Sequence, residues 1–413
     1  MIKICCHVTP LLSFVLVLLL LPAGVRFSPP AFAAESGTST ASMPSEVPGF
    51  SLDDLRFLYN ELTSTGVGRN AIGPIYNPVF IPVADAGLSM DNQEPVFVVH
   101  YPGGITRVYP QSIMVWHEIV NDVLPDAADA PPRGSYGSDR SGQAKSSGNN
   151  YTVSYSPLTG SIMAFKSRAG RFPSSFGNEG RLLNANLIMF DHSSGSLWSQ
   201  LLAACIDGPL AGKRLERYPV YWMRWGGVKN RYPDAQVLAR ATGYKRSYGR
   251  DPYGSYFRSG SYYDDTRLLF PVMRASDRLP PKERVLGLEI EHLYGAVIID
   301  AVRKAKALNQ TLGVFKLAAF YDEELDSVRL FESRLPDGRV LEFQLFEGKI
   351  RDKDSNSEWN TDGECVYGRM RGVGLKPLLA VDSMWFAWYA FHPDTLILGE
   401  EAKPRPRGPD IPY

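Results

Sequence analysis

"VSYSPLTGSIMAFKSR" at 153–168 and "AFYDEELDSVRLFESR" at 319–334 have equal length and share Tyr, Ser, Phe, Ser and Arg in register. Each reads as strand, turn, strand: apolar residues alternate on both sides of a Pro-Leu-Thr-Gly or Glu-Glu-Leu-Asp centre. Two further pairs follow in the same order. "DHSSGSLW" (191–198) and "DKDSNSEW" (352–359) both spell Asp-x-x-Ser-x-Ser-x-Trp, and Trp225 and Trp385 each stand eight residues before a Pro-Asp pair. Three matches in one order predict an α+β, strand-rich fold made of two pseudo-symmetric repeats of one unit, each opening with a hairpin near Val96 or Val285. Two copies are too few for a solenoid, so a pair sharing a core is expected.

Around the repeats, the sequence divides into expected segments. Residues 51–275 hold the first repeat and 276–400 the second. "SLDDLRFLYNELTSTG" (51–66) reads as a helix with Ser51 and Asp54 as a capping box, Leu55, Leu58, Tyr59 and Leu62 on one face, and Gly66 at its end. "VFVVHYPGGITRVYP" (96–110) reads as two strands about a Pro-Gly-Gly turn, followed by a helix carrying His117. "RAGRFPSSFGNEGRLLNAN" (168–186) lacks helical period and is expected to form strands and a loop. Residues 126–150, rich in Gly, Ser and Pro, are expected to be a disordered loop.

The ends are non-domain segments by composition. Lys3, the apolar run Leu11–Leu21 and Ala31-Phe32-Ala33 predict a signal peptide over 1–33. A flexible leader (34–50) follows, and a Pro-rich tail closes the chain (401–413). The apolar run is short for a span, and no later stretch is apolar enough to cross a bilayer. A periplasmic or secreted location is expected. Basic and acidic residues both number 44, and cleavage would remove Lys3 and Arg26 but no acid. A charge so near zero gives no indication of nucleic acid as partner. Cys205 and Cys365 follow the paired tryptophans at nearly equal distance; core thiols and one disulfide are both open.

The repeat also separates scaffold from function. Asp191, Trp198, Asp352 and Trp359 occur in both copies and are expected to be scaffold: Asx-type turns with tryptophan anchors. "VWHEIVND" (115–122) is different, because the corresponding stretch "AVRKAKALNQ" (301–310) has no His and no acid. Helical spacing would put His117 with Asn121, and Glu118 with Asp122, each on one face. The candidate pocket is His117, Glu118, Asn121, Asp122, Tyr155, Ser156 and Thr159, with hydrogen-bonded bridging between elements as the alternative. His-Glu-x-x-Asn lacks the second histidine of a zinc motif, so no metal and no cofactor are expected; His117 would be the first ligand if there were one. Ser156 with His117 as base lacks a nucleophile-elbow context. The Tyr-rich stretch 244–263 reads as a surface connector with solvated Tyr tips, or as a platform for a sugar or other flat ligand.

"VYPQSIMVWHEIVND" (108–122), "FGNEGRLLNANLIMFDHSSGSLWSQ" (176–200), "GRDPYGSY" (249–256) and "SMWFAWYAFHPDT" (383–395) together resemble the bacterial and archaeal family called domain of unknown function 3179. The resemblance brings no established reaction. It implies a Cys-x-x-Cys where this chain has Ser156 and Thr159; without thiols, no redox-active dithiol is expected there. The expected function is an exported binding or accessory protein with a polar pocket around His117. Its partner would be an unknown small ligand or a periplasmic protein. The alternative is a hydrolytic or metal-assisted enzyme using His117 with Glu118, Asn121 and Asp122.

Overall fold

The computed structural model describes residues 51–87, 90–124, 149–170 and 172–399. The signal peptide, leader and tail expected from sequence lie outside these residues, as does the loop expected at 126–150 except for its last two positions. Asn150 is already the first residue of a strand.

The architecture is α+β and strand-rich, and among the described residues no helix exceeds the nine of Leu52–Asn60. The Pro-Gly-Gly turn places Gly103 and Gly104 at φ 77° and 76°, values that need no Cβ, so Pro95–Tyr101 folds back onto Ile105–Pro110. Tyr221–Arg224, Gln236–Leu238 and Phe80–Pro82 complete that sheet. The opening hairpin 153–168 forms as expected, Asn150–Ser156 pairing with Ser161–Lys166, flanked by Ile119–Val123 and Arg217–Tyr218. A third sheet runs through Phe176–Leu183, Asn186–Asp191, Leu197–Ser199 and Ala204–Asp207.

Three further sheets follow. Arg284–Ile290 and Leu293–Ile298 pair with Ala380–Met384 and Leu396–Leu398. Phe315–Asp322 and Ser327–Glu332 lie between Ala307–Leu312 and Lys376–Pro377. Phe343–Phe346, Lys349–Asp352, Glu358–Trp359 and Cys365–Tyr367 make the last sheet. One apolar cluster joins Phe176, Met189 and Trp198 to Val285, Met384 and Trp385, so the two halves of the chain share a core. Burying such aromatics stabilises the fold by roughly 2–3 kcal/mol each.

The N-terminal helix has its capping box: Asp54 N–H donates to the Ser51 hydroxyl, and Ser51 N–H to the Asp54 carboxylate. It ends at Asn60, six residues before the Gly66 stop signal, because Thr63–Ser64 is taken up as a strand against Arg181 and Leu182. Leu55 and Leu58 pack on Ile188, Phe190, Leu197 and Ile206. That burial, rather than helix propensity, holds so short a helix. Cys205 and Cys365 are both free and buried, in different clusters, so no disulfide links them.

Candidate functional site

The helix expected through Asp122 stops at His117. Glu118 takes φ 58° as its cap and donates its N–H to the Met114 carbonyl, and the chain leaves as the strand Ile119–Val123. Successive strand side chains point to opposite faces. His117, Glu118, Asn121 and Asp122 therefore do not share helical faces, and each meets different partners.

His117 is fully buried between two segments distant in sequence. Its Nδ1 lies 2.6 Å from the Gly73 carbonyl and its Nε2 2.7 Å from the Tyr248 hydroxyl. A carbonyl only accepts, so Nδ1 carries the hydrogen and Nε2 accepts from Tyr248. The Tyr248 oxygen in turn accepts from the Thr242 hydroxyl. Burial lowers the His117 pKa and keeps the ring neutral. Glu118 is buried against Asn178, whose amide donates to it, and burial pushes its carboxyl up to about 8. It is thus protonated at neutral pH.

Asp122 closes a buried charge cluster. Arg107 pairs with it, the Tyr109 hydroxyl donates to it at 2.9 Å, and the Tyr101 hydroxyl donates to Tyr109 at 2.9 Å. The Arg107 guanidinium also lies 4.0 Å over the Phe80 ring. Asn121 pins a neighbouring strand, donating to the Phe176 carbonyl at 2.9 Å and accepting its N–H at 2.7 Å. Asn309 makes the same two bonds to Phe343, at 2.7 and 2.8 Å. Tyr155 shares a hydroxyl hydrogen bond with Tyr256 at 2.9 Å. Thr159 belongs to a buried network in which the Asn186 amide donates to Thr159, Ser161 and Gln200. Ser156 is buried at the end of its strand, paired with Ser161. With both His117 nitrogens occupied, no Ser156–His117 pair is formed.

The two aspartate turns are alike. Asp191 accepts from Ser194 N–H, Ser194 hydroxyl and Trp198 Nε1 at 2.6, 2.7 and 2.9 Å. Asp352 accepts from Ser355 N–H, Ser355 hydroxyl and Trp359 Nε1 at 2.6, 2.8 and 3.1 Å.

The Tyr-rich stretch is not a connector with solvated tips. Tyr248 and Tyr263 are buried, and Tyr256 stacks on Tyr263 with ring centroids 3.8 Å apart. This segment forms one wall of a 710 Å³ cleft, opposite Glu94, Gln111 and Ser112, with Tyr248, Arg250 and Phe257 on its own side. Asp251 organises that wall, accepting from the Gln111 amide at 2.8 Å, the Tyr263 hydroxyl at 2.9 Å and Tyr253 N–H at 2.8 Å. Glu94 accepts from the Ser112 hydroxyl, and burial raises its pKa. None of the seven candidate residues lines this cleft. Its walls lie more than a hundred residues apart, and only the tyrosines of 244–263 hinted at it. Tyr248 connects the two regions: it lines the cleft while its hydroxyl rests on His117.

Among the described residues, no three His, Cys, Asp or Glu side chains are placed to hold a metal ion, and no helix is long and apolar enough to cross a membrane. These features define a strand-rich α+β protein with a mixed-charge cleft beside a buried histidine. The family described as "Protein of unknown function (DUF3179)" matches over residues 69–130 and 144–395, and the chain belongs to it. No match was found among curated proteins or among solved structures.

Proposed function

We propose that this is an exported binding or accessory protein, periplasmic or secreted after removal of residues 1–33. Its ligand site is the cleft under residues 248–261. The observation that carries this reading is Tyr248, a residue that lines a 710 Å³ cleft while its hydroxyl is held by His117 and Thr242. That volume suits a small organic ligand, and the aromatic and charged lining offers both stacking and oriented hydrogen bonds. His117 positions the wall in this reading. Use of the imidazole as a base would first require the Tyr248 donor to leave Nε2, which weighs against the enzyme alternative.

The chain is further read as two copies of one unit. Supporting this, Glu118 and Lys306 end their helices with φ 58° and 64°, Asn121 and Asn309 make matching strand pins, and the aspartate turns share the bonds from the serine N–H, the serine hydroxyl and the tryptophan Nε1.

A thermal-shift screen of small polar metabolites tests the cleft. A ligand at a hundredfold excess over its Kd should stabilise the wild type by about 2.7 kcal/mol. Arg250→Gln or Phe257→Ala should remove that stabilisation. A hit indifferent to both substitutions, or turnover of a substrate that His117→Gln abolishes, would refute the binding reading.

A further inference from the structure

A second cleft, of 610 Å³, has no described lining residue from the Tyr-rich segment and is markedly basic. Among its described lining residues, Lys166, Arg168, Lys213 and Arg214 stand with a single carboxylate, Glu216. Phe172, 64% exposed, and Leu210 add an apolar surface. Lys166 pairs with Glu216 at 2.6 Å, and Arg214 with Glu289 at 2.9 Å. Arg168 and Lys213 have no ion pair among the described residues. Two uncompensated cations facing one concavity repel each other unless an anion joins them.

The fold does not require this charge. In the C-terminal half, the strand Lys376–Pro377 pairs with Phe331 and Glu332 as Arg217–Tyr218 pairs with Phe165 and Ala164. The bridge Glu364–Gly374 likewise matches Ala204–Arg214. On that register, Glu332, Val373 and Gly374 stand where the basic cleft has Lys166, Lys213 and Arg214. Only Arg334 answers Arg168, and it donates to the Gly338 carbonyl instead.

We propose that this cleft binds a phosphomonoester group whose organic part lies on Phe172 and Leu210. Arg214 shares Glu289 with Arg217 at 3.4 Å, so at least the two positive charges of Arg168 and Lys213 remain among the described lining residues, enough for the roughly −2 charge of a phosphomonoester near neutral pH. The arginine fork also suits phosphate oxygens. A lone carboxylate would neutralise at most half of that charge. The proposal does not depend on the other cleft.

The bearer of the phosphate is either a soluble compound or a lipid headgroup, and the two separate in one experiment. Titration calorimetry at low salt would use inorganic phosphate and phenyl phosphate. Co-sedimentation would use phosphatidylcholine vesicles with and without phosphatidic acid. Phenyl phosphate should bind more tightly than inorganic phosphate if the source is soluble; only phosphatidic acid vesicles should bind if it is lipid. In either arm, the double variant Arg168→Gln/Lys213→Gln should weaken binding at least about tenfold, since one cation at an anionic surface contributes on the order of fivefold. Arg334→Gln should leave binding unchanged. Both sites are at the surface, and circular dichroism would verify that the variants are folded. No binding of any probe, binding unaffected by the double variant, or equal loss with Arg334→Gln overturns the proposal.

Discussion

Glu118→Gln should stabilise the protein, by an amount that grows with pH. The Glu118 carboxyl is buried with Asn178 donating to it, and burial raises its pKa from the ordinary 4.5 to about 8. Its folded-state pKa thus lies above its unfolded one. The folded protein holds a proton here that the unfolded chain releases once the pH exceeds 4.5, so stability falls as pH rises from 4.5 to about 8. Each pH unit in that window costs about 1.4 kcal/mol. At pH 7 the wild-type carboxyl therefore opposes folding by roughly 3 kcal/mol, while at pH 4.5 it costs almost nothing. Glutamine keeps the oxygen that accepts from Asn178 and never ionises. Urea unfolding of wild type and variant at pH 5, 6, 7 and 8 should give curves that diverge by about 1.4 kcal/mol per unit and become parallel above about pH 8. A constant difference across that range would mean that Glu118 is already ionised in the fold, and the burial argument would fail.

His117→Ala removes two hydrogen bonds and opens a fully enclosed space, so it should cost about 2–4 kcal/mol in chemical denaturation, against under 1 for a solvent-facing histidine. Because burial lowers the His117 pKa, the stability from its neutral ring is present above the ordinary 6.5 and is lost as pH falls below it; His117→Gln should weaken that acid sensitivity. Asp191→Ala and Asp352→Ala should each lower stability by about 2–4 kcal/mol, since each leaves a buried tryptophan N–H and a serine turn without an acceptor. Mass spectrometry of protein recovered from its native host should show an N-terminus near Ala34; an intact Met1 would refute cleavage.

How much of this was legible in the sequence depended on how local each signal was. The capping box at Ser51, the Pro-Gly-Gly hairpin and the Asp-x-x-Ser-x-Ser-x-Trp turns are short-range: donor, acceptor and required φ all lie within eight residues, so the chain alone determines them. The helix end at His117 was not legible, because Glu118 and Lys306 adopt positive φ without being glycine or asparagine; the strand pairing of the following residues imposes it. Asn309 was visible in "AVRKAKALNQ", yet its equivalence to Asn121 emerged only when each was seen pinning a strand. Tertiary structure alone decided that His117 is enclosed, that Asp122 belongs to Arg107 and the tyrosine pair, and which residues line the two clefts. Each joins residues separated by a dozen to more than a hundred positions. Hydrogen bonds and charge pairs of that reach depend on how sheets stack, which local propensity and periodicity do not encode.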